Sequence, residues 1–329
     1  MGSLIRAMRM LAVVVAALAA VAASGQPAPG MHRIAFVNVG DAAPNAVNAA
    51  AFRRGLADLG YVEGRNIEID FAWGGQNESA MPRIAGEALR RKPEIVVSTG
   101  GPVTIRAVKA ATASVPVVFI TGDPLAEGLI DSYAKPGHNL TGLAVLAGDL
   151  DAKRLELLTQ ISPNAKRIAM IWNPAQQRID EIVRNVDAAA ARLHVTLLRY
   201  PARDRKELSA TLAAISGTRP DALLVVADPM LGFEREQIVA FARAQRLPGV
   251  YFWREFAELG GLATYGTNLA SVYRRAATYV DRILKGAKPG DLPVEQPTTF
   301  DLVVNRSAAR ELGITIPPVV LQRADIVLP

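Results

Sequence analysis

The chain has 329 residues, of which 50% are hydrophobic and 21% are charged, so it is long enough for two globular domains with sizeable cores. Its formal net charge is +6, but the Lys and Arg residues are scattered, which argues against a nucleic-acid partner. The absence of cysteine excludes disulfides, cysteine nucleophiles and lipid attachment through cysteine, and the three histidines lack metal-ligand spacing. We expect no metal and no cofactor.

The first 25 residues have the pattern of a secretory signal. Arg6 and Arg9 precede the apolar run Leu11–Val21, and small residues follow at 22–25. The stretch Met10–Ala23 is shorter than the roughly 20 residues that a membrane-spanning helix needs, so a cleaved signal is favoured over an anchor. The expected mature protein is exported to the periplasm and is not a lipoprotein.

Strands and helices alternate through the first part of the mature chain, as a doubly wound sheet requires. The predicted elements are strand Arg33–Val39, helix Asn45–Leu59, strand Ile67–Trp73, helix Ser79–Arg91, strand Ile95–Val97, a helix, strand Val117–Ile120, a short helix Leu125–Ser132 and strand Leu140–Leu146.

A second alternation of similar size follows, and the last third departs from it. The second unit has helix Asp151–Ile161, strand Arg167–Trp172, helix Gln177–Leu193, strand Val195–Tyr200, helix Lys206–Ser216, strand Ala222–Ala227, helix Glu234–Arg246 and strand Gly249–Trp253. Strand Leu262–Tyr265, helix Ser271–Leu284 and a final strand Phe300–Val304 do not complete a third domain, so the chain is expected to cross back and return. The expected lobes are 31–143 plus 264–292 and 144–263 plus 293–329.

Small and polar residues end several predicted strands. In open α/β sheets ligands bind at the carboxyl ends of the strands, where helix N-termini can hold an anionic group. Asp123 and Asp228 could accept a ligand ammonium, although good helix caps would explain the same residues. The aromatic stretch Tyr251–Phe256 could form a pocket wall or simply pack in the core. The predicted ligand-binding residues are Thr99, Gly100, Gly101, Thr121, Asp123, Trp172, Asn173, Asp228, Trp253, Glu255 and Tyr265.

Enzyme motifs are missing from the sequence. No GxGxxG fingerprint, P-loop or GxSxG nucleophile elbow occurs. We therefore expect a binding protein that does no chemistry.

Several short motifs together resemble the ABC-transporter substrate-binding protein family that includes tryptophan- and tyrosine-binding members. They cover about Arg33 to Asp325 and comprise Gly60-Tyr-Val-Glu-Gly64, Lys109-Ala-Ala-Thr112 before Pro116-Val-Val-Phe119, Asn139-Leu-Thr-Gly142, Ala152-Lys-Arg-Leu-Glu-Leu-Leu158, Asp221-Ala-Leu-Leu224 with Asp228-Pro229, Arg254-Glu-Phe256 with Gly260-Gly-Leu262, and Arg282-Ile-Leu-Lys-Gly-Ala-Lys-Pro289. One departure is the loop Asn38–Pro44, which replaces the Ser- and Gly-rich loop common after the first strand of that family.

The resemblance implies a periplasmic-binding-protein-like type I fold, with two doubly wound parallel-sheet lobes joined by a multi-strand hinge. It also implies a monomer that captures an amino acid or related small carboxylate between its lobes and delivers it to an ABC permease and ATPase. Two alternatives stay open: a sensor module of the same fold that feeds a signalling partner, and a secreted Rossmann-like enzyme.

Overall fold

The computed structural model describes residues 30–145, 150–297 and 299–329. The predicted signal at 1–25 lies outside the described residues. Within the described ranges, no helix is long and apolar enough to cross a membrane.

The first lobe is built on a five-stranded parallel sheet with strand order β2-β1-β3-β4-β5. Its elements are β1 (His32–Asn38), α1 (Ala46–Asp58), β2 (Ile67–Trp73), α2 (Met81–Arg90), β3 (Ile95–Thr99), α3 (Pro102–Ala111), β4 (Val117–Thr121) and β5 (Leu140–Ala144). Side chains of β1 alternate between two apolar clusters, with Ile34 and Phe36 on one face and Ala35 and Val37 on the other. Both faces of the sheet are therefore covered, which is why its strands read as continuous apolar runs.

The second lobe is built on a seven-stranded sheet with order β12-β11-β10-β9-β8-β6-β7. Its elements are α4 (Asp151–Ile161), β6 (Arg167–Trp172), α5 (Ile179–Leu193), β7 (Thr196–Pro201), α6 (Arg205–Thr218), β8 (Ala222–Val225), α7 (Pro229–Phe233), α8 (Arg235–Ala244), β9 (Gly249–Tyr251), α9 (Arg254–Glu258), β10 (Ala263–Thr267), β11 (Phe300–Asn305), α11 (Arg306–Leu312), α12 (Pro318–Arg323) and β12 (Ile326–Leu328), with α10 (Leu269–Leu284) inserted before β11. Only β10 and β11 pair antiparallel among the paired strands of this sheet that the structure describes.

Three stretches of chain connect the lobes. The first lies between β5 and α4, the second between β10 and α10, and the third between Leu292 and β11. Helix α10 covers the first sheet, because Tyr273 and Val280 pack in the apolar cluster that contains Phe36. Glu295 then pairs with Leu143 beside β5 before the chain returns to the second sheet.

Three sequence predictions differ from this architecture. Leu125–Ser132 is a series of turns with Gly128 at φ +67°, so no helix forms there. Residues 264–267, assigned to the first lobe, belong to the second sheet, because β10 pairs with β9 and β11. The final strand is β12 rather than Phe300–Val304, since the chain continues through two short helices and pairs once more with β11.

Candidate ligand-binding cleft

A cavity of about 780 Å³ lies between the two lobes. The segments that follow β1, β3 and β4 form its first-lobe wall, and those that follow β6, β8 and β9 form its second-lobe wall. Parallel strands present their carboxyl ends at one edge of a sheet, where open α/β folds bind ligands. The two sheets therefore contribute their ligand-binding edges to the same space.

Eight of the eleven residues predicted from the sequence line this cavity. They are Gly100, Gly101, Thr121, Asp123, Asn173, Asp228, Trp253 and Glu255. All eight lie at or just beyond the end of a strand, where the backbone leaves the sheet. Their role in binding stays a prediction.

The other three predicted residues lie outside the cavity lining. Thr99 is fully buried, and its Oγ1 accepts a hydrogen bond from Asn38 Nδ2 at 2.7 Å. Trp172 and Tyr265 pack against the apolar core of the second lobe. The side chains of a strand alternate between its faces, and these three pack within their own lobes instead of lining the cavity.

Two consecutive glycines after β3 bring the backbone of the first lobe close to other segments. Gly100 and Gly101 have φ of +89° and +108°, which residues with a Cβ rarely adopt. A Cβ on Gly100 would lie 2.8 Å from Asn38 Oδ1, and one on Gly101 would lie 3.7 Å from the Pro229 ring of the second lobe. Gly100 therefore permits a close approach that a Cβ would block, whereas Gly101 is favoured by its positive φ alone.

Asp123 is engaged by the protein itself, and its predicted contact with a ligand ammonium stays a prediction. Its Oδ1 accepts bonds from the Tyr133 hydroxyl at 2.9 Å and from Ala126 N at 3.0 Å, and its Oδ2 accepts one from Arg178 Nη1 at 3.0 Å. Partial burial opposes ionisation of Asp123, but these bonds and the Arg178 charge hold its pKa below the usual value. Arg178 lies in the second lobe, so the two side chains form a cross-lobe ion pair.

The carboxylate of Asp228 lies at the second-lobe wall, and this residue is only 6% exposed. Its Oδ1 accepts a bond from Leu231 N at 3.1 Å as the N-cap of α7, and its Oδ2 accepts one from Asn173 Nδ2 at 3.3 Å. Burial raises the pKa of Asp228 to about 6 in spite of these bonds. Unlike Asp123, it is bonded in the described residues to an amide and to a backbone N–H and to no cationic side chain, so a ligand cation would relieve the cost of its charge.

Burial also raises the pKa of two glutamates at the wall. The pKa of Glu127 rises to about 7, although Thr121 donates to its carboxylate at 3.1 Å. Burial raises the pKa of Glu255 as well, against the attraction of the Arg235 charge. The cavity wall therefore holds carboxylates that burial makes costly to ionise.

Three polar atoms at the cavity wall have no hydrogen-bond partner among the described residues. They are the acceptors Asn48 Oδ1 and Gln176 Oε1 and the donor Trp253 Nε1. Buried polar atoms are almost always paired in folded proteins, and each unpaired one costs free energy. The wall residues that carry these atoms therefore have hydrogen-bonding capacity that the described residues leave unused.

Four aromatic side chains supply the apolar surface of the cavity: Phe233, Phe252, Trp253 and Tyr273. The rings of Phe252 and Trp253 meet edge to face with centroids 4.9 Å apart. The Trp253 ring packs closely against α7, where a Cβ on Gly232 would come within 2.0 Å of it. Aromatic walls with a few placed polar groups are typical of small-ligand sites.

Sequence reasoning missed several lining residues because they come from elements that reach the site only through the tertiary fold. Asn48 lies on α1 and Tyr273 on α10, and both are on helix faces that read as ordinary core. Arg178 and Arg235 cross the cleft, and Arg235 Nη2 donates to the Pro44 carbonyl of the first lobe at 2.8 Å. The sequence did indicate the loop Asn38–Pro44, because it departs from the loop that is common after the first strand of the family. Asn38 and Pro44 both line the cavity. Among the described residues, no cluster of His, Cys, Asp and Glu is arranged to hold a metal ion.

Comparison with known proteins gives consistent matches over nearly the whole chain. The family model described as ABC transporter substrate binding protein matches residues 36–328. A relative named tyrosine-binding protein, from Clostridioides difficile (strain R20291), is 24% identical over 265 residues, which are 80% of this chain and 75% of the relative.

Two solved structures each cover 90% of this chain and 99% of their own. A conserved domain protein from Vibrio cholerae has a TM-score of 0.80 at 28% identity. The ABC domain of Streptococcus pneumoniae in complex with L-Trp has a TM-score of 0.81 at 24% identity. The two-lobed, periplasmic-binding-protein-like fold predicted from the sequence is confirmed.

Proposed function

Because the chain belongs to the ABC transporter substrate-binding protein family, as its motifs predicted, we propose that it is an exported protein that captures an amino acid between its lobes. It delivers the ligand to an ABC permease and ATPase, acts as a monomer and does no chemistry. The observation that carries this proposal is the cavity between the carboxyl edges of both sheets, bridged by side chains from each lobe. Ligand contacts to both walls would favour the closed arrangement, which the transporter would then bind.

The ligand class that the cavity favours is an amino acid with an aromatic side chain. Its ring would pack among the four aromatic residues of the wall, which bury apolar surface and favour edge-to-face contacts. Its ammonium would be held by Asp228 and Asn48 Oδ1, which lack a cationic partner and a hydrogen-bond partner, respectively, among the described residues. The backbone at Gly101 and the first turn of α3 would receive the carboxylate. The names of two relatives, one tyrosine-binding and one solved with L-Trp, agree with this class.

Export rests on the sequence pattern of residues 1–25, and we propose that this segment is removed. The mature lobes would be 30–145 plus 268–297 and 150–267 plus 299–329, which moves the sequence-derived boundaries to the ends of β10 and of the third connection. Mass spectrometry of protein purified from the periplasm tests the cleavage, with a site between residues 23 and 26 expected.

A thermal-shift screen of the mature chain tests the ligand class. The twenty amino acids, small carboxylates, sugars and nucleosides are added in turn, because a ligand that binds only the folded state raises the Tm. We expect the largest rise with L-tyrosine or L-tryptophan, followed by 1:1 binding in calorimetry. A response to sugars or nucleosides and to no amino acid would overturn the proposed ligand class.

A further inference from the structure

Two charged side chains are completely buried in the second lobe outside the cavity lining. Asp151 and Arg154 are both 0% exposed and form an ion pair in the first turn of α4. A buried ion pair is a poor source of stability, because the cost of removing both charges from water offsets their attraction. The other groups that this pair contacts are therefore the informative feature.

Asp151 holds the backbone directly before a residue of the cavity wall. Each of its carboxylate oxygens accepts a hydrogen bond from Ala227 N at 3.3 Å, and Ala227 immediately precedes Asp228. The Ala227 carbonyl in turn accepts a bond from Gln176 Nε2 at 2.9 Å, and Gln176 also lines the cavity. The position of two wall residues thus depends on the Asp151 carboxylate.

Arg154 holds the strand that leads into the second connection between the lobes. Its Nε donates to the Tyr265 carbonyl at 2.7 Å, two residues before β10 ends at Thr267. Its guanidinium carbon lies 5.9 Å from the ring centroid of Phe252, a wall residue. A Cβ on Gly266 would come within 2.0 Å of the Phe252 carbonyl, so β10 and the wall are in direct contact.

We propose that the Asp151–Arg154 pair is a positioning unit that couples the hinge to the ligand cavity. It joins the start of α4, which follows the first connection, to the end of β10, which precedes the second, and to the strand end that carries Asp228. A displacement of the end of β10 by the second connection is thereby transmitted to the second-lobe wall of the cavity. The inference rests on the proposed capture between lobes, but its test does not require the ligand to be known.

Distance measurement between spin labels tests the coupling in the ligand-free protein. The chain has no native cysteine, so the exchanges Ala113→Cys in the first lobe and Ala210→Cys in the second give two exposed labelling sites. The test variant is Asp151→Leu with Arg154→Met, which replaces the ion pair by apolar side chains and removes their bonds to Ala227 N and to the Tyr265 carbonyl. The matched control is Arg243→Met with Glu311→Gln, an exposed pair in the same lobe.

We expect the interlobe distance distribution to broaden in the test variant and to match the wild type in the control. L-tryptophan is added as a second probe, with at least tenfold weaker binding expected for the test variant. If the test variant unfolds at a lower temperature, a second variant, Arg154→Lys, takes its place. It keeps a positive charge beside Asp151 but loses the hydrogen bond from Nε to the Tyr265 carbonyl, and the same broadening of the distance distribution is expected. An unchanged distribution in a folded variant would overturn the coupling. Failure of L-tryptophan to bind the wild type would instead count against the proposed ligand, and the ligand-free distances would still decide the role of the pair.

Discussion

Asp228 serves as a helix cap and as a wall residue with one buried carboxylate. The cap bond from Leu231 N stabilises either an Asp or an Asn at this position, since both have an acceptor oxygen. Only the aspartate carries a charge, and burial makes that charge costly, as its pKa of about 6 reflects. A residue that destabilises the fold in this way is typical of a functional site.

Asp228→Asn is expected to stabilise the protein at neutral pH and to weaken ligand binding. The folded pKa lies above the unfolded value, so the folded state binds more protons and the aspartate lowers the free energy of unfolding as pH rises from about 4 to 6. At pH 7 the variant should gain about 1–3 kcal/mol, a gain that disappears below about pH 4. Urea unfolding at both pH values measures it, with Asp180→Asn, an exposed change in the same lobe, as the control. A variant that is equally destabilised at both pH values would show that the carboxylate is needed for the cap.

The same carboxylate should make amino-acid binding depend on pH. A ligand ammonium favours the ionised form of Asp228, so binding near pH 6 releases the proton that the Asp228 carboxyl carries in the ligand-free protein. Affinity should fall about tenfold for each pH unit below about 6 and be nearly constant from 7 to 8. Calorimetry in two buffers of different ionisation enthalpy would detect the released proton. If no proton is released at pH 6, the ligand ammonium is held elsewhere.

Arg178, the N-cap residue of α5, contacts residues of both lobes. Arg178 is in the left-handed region with φ of +59°, donates to Glu181 through Nε and Nη2, and reaches Asp123 through Nη1. The bonds to Glu181 lie within one lobe and survive opening, whereas the cross-lobe ion pair exists only when the lobes approach. Both partners are more than two-thirds buried, so solvent screens their attraction less than that of a surface pair.

Arg178→Gln and Asp123→Asn should each increase the ligand dissociation rate about three- to tenfold, with little change in Tm. Each change removes one partner of the closed-state pair, which corresponds to roughly 1 kcal/mol for a partly exposed pair. Stopped-flow fluorescence measures the rate, and the double variant should be no faster than either single one, because the two residues act as a unit. Arg184→Gln, an exposed arginine on the same helix, is the control. Additive rate increases would show that the two residues act independently.

At the level of elements, the sequence predicted where strands end. It did not predict which face their side chains take or which distant segments they contact. Asn173 and Asp228 were predictable because each follows an apolar run and is followed by proline, and Asp228 is also a helix cap. Tyr265 was misplaced because a strand end does not reveal which face a side chain takes, and one residue of register exchanges the faces. The lobe of β10 was mistaken because its pairing with β11 is a contact between distant segments. Arg178 was missed because its partner lies in the other lobe.

Closure of the whole molecule depends on apolar contact as well as on charge. Phe233 belongs to α7 of the second lobe, yet its ring packs against the apolar cluster of the first lobe that contains Val39 and Met81. The ring lies directly over Gly40, where a Cβ would come within 3.0 Å of Phe233 Cε1. This contact buries apolar surface only when the lobes are together, so it favours the closed form by the hydrophobic effect.

Phe233→Ala should therefore leave each lobe folded but keep the molecule more open. Loss of a partly buried aromatic contact corresponds to about 1–2 kcal/mol, or about 5- to 30-fold weaker ligand binding. Small-angle X-ray scattering with saturating ligand should give the wild-type radius of gyration only at higher ligand concentration. Gly40→Ala should act in the same direction, because its added methyl would lie 3.0 Å from Phe233 Cε1, but it should also destabilise the first lobe, since Asn38 Oδ1 and Asn45 Nδ2 are equally near. Leu259→Ala, an exposed apolar change in the same lobe, is the control. Wild-type affinity and closure in both test variants would mean that the lobes close without the contact between Phe233 and Gly40.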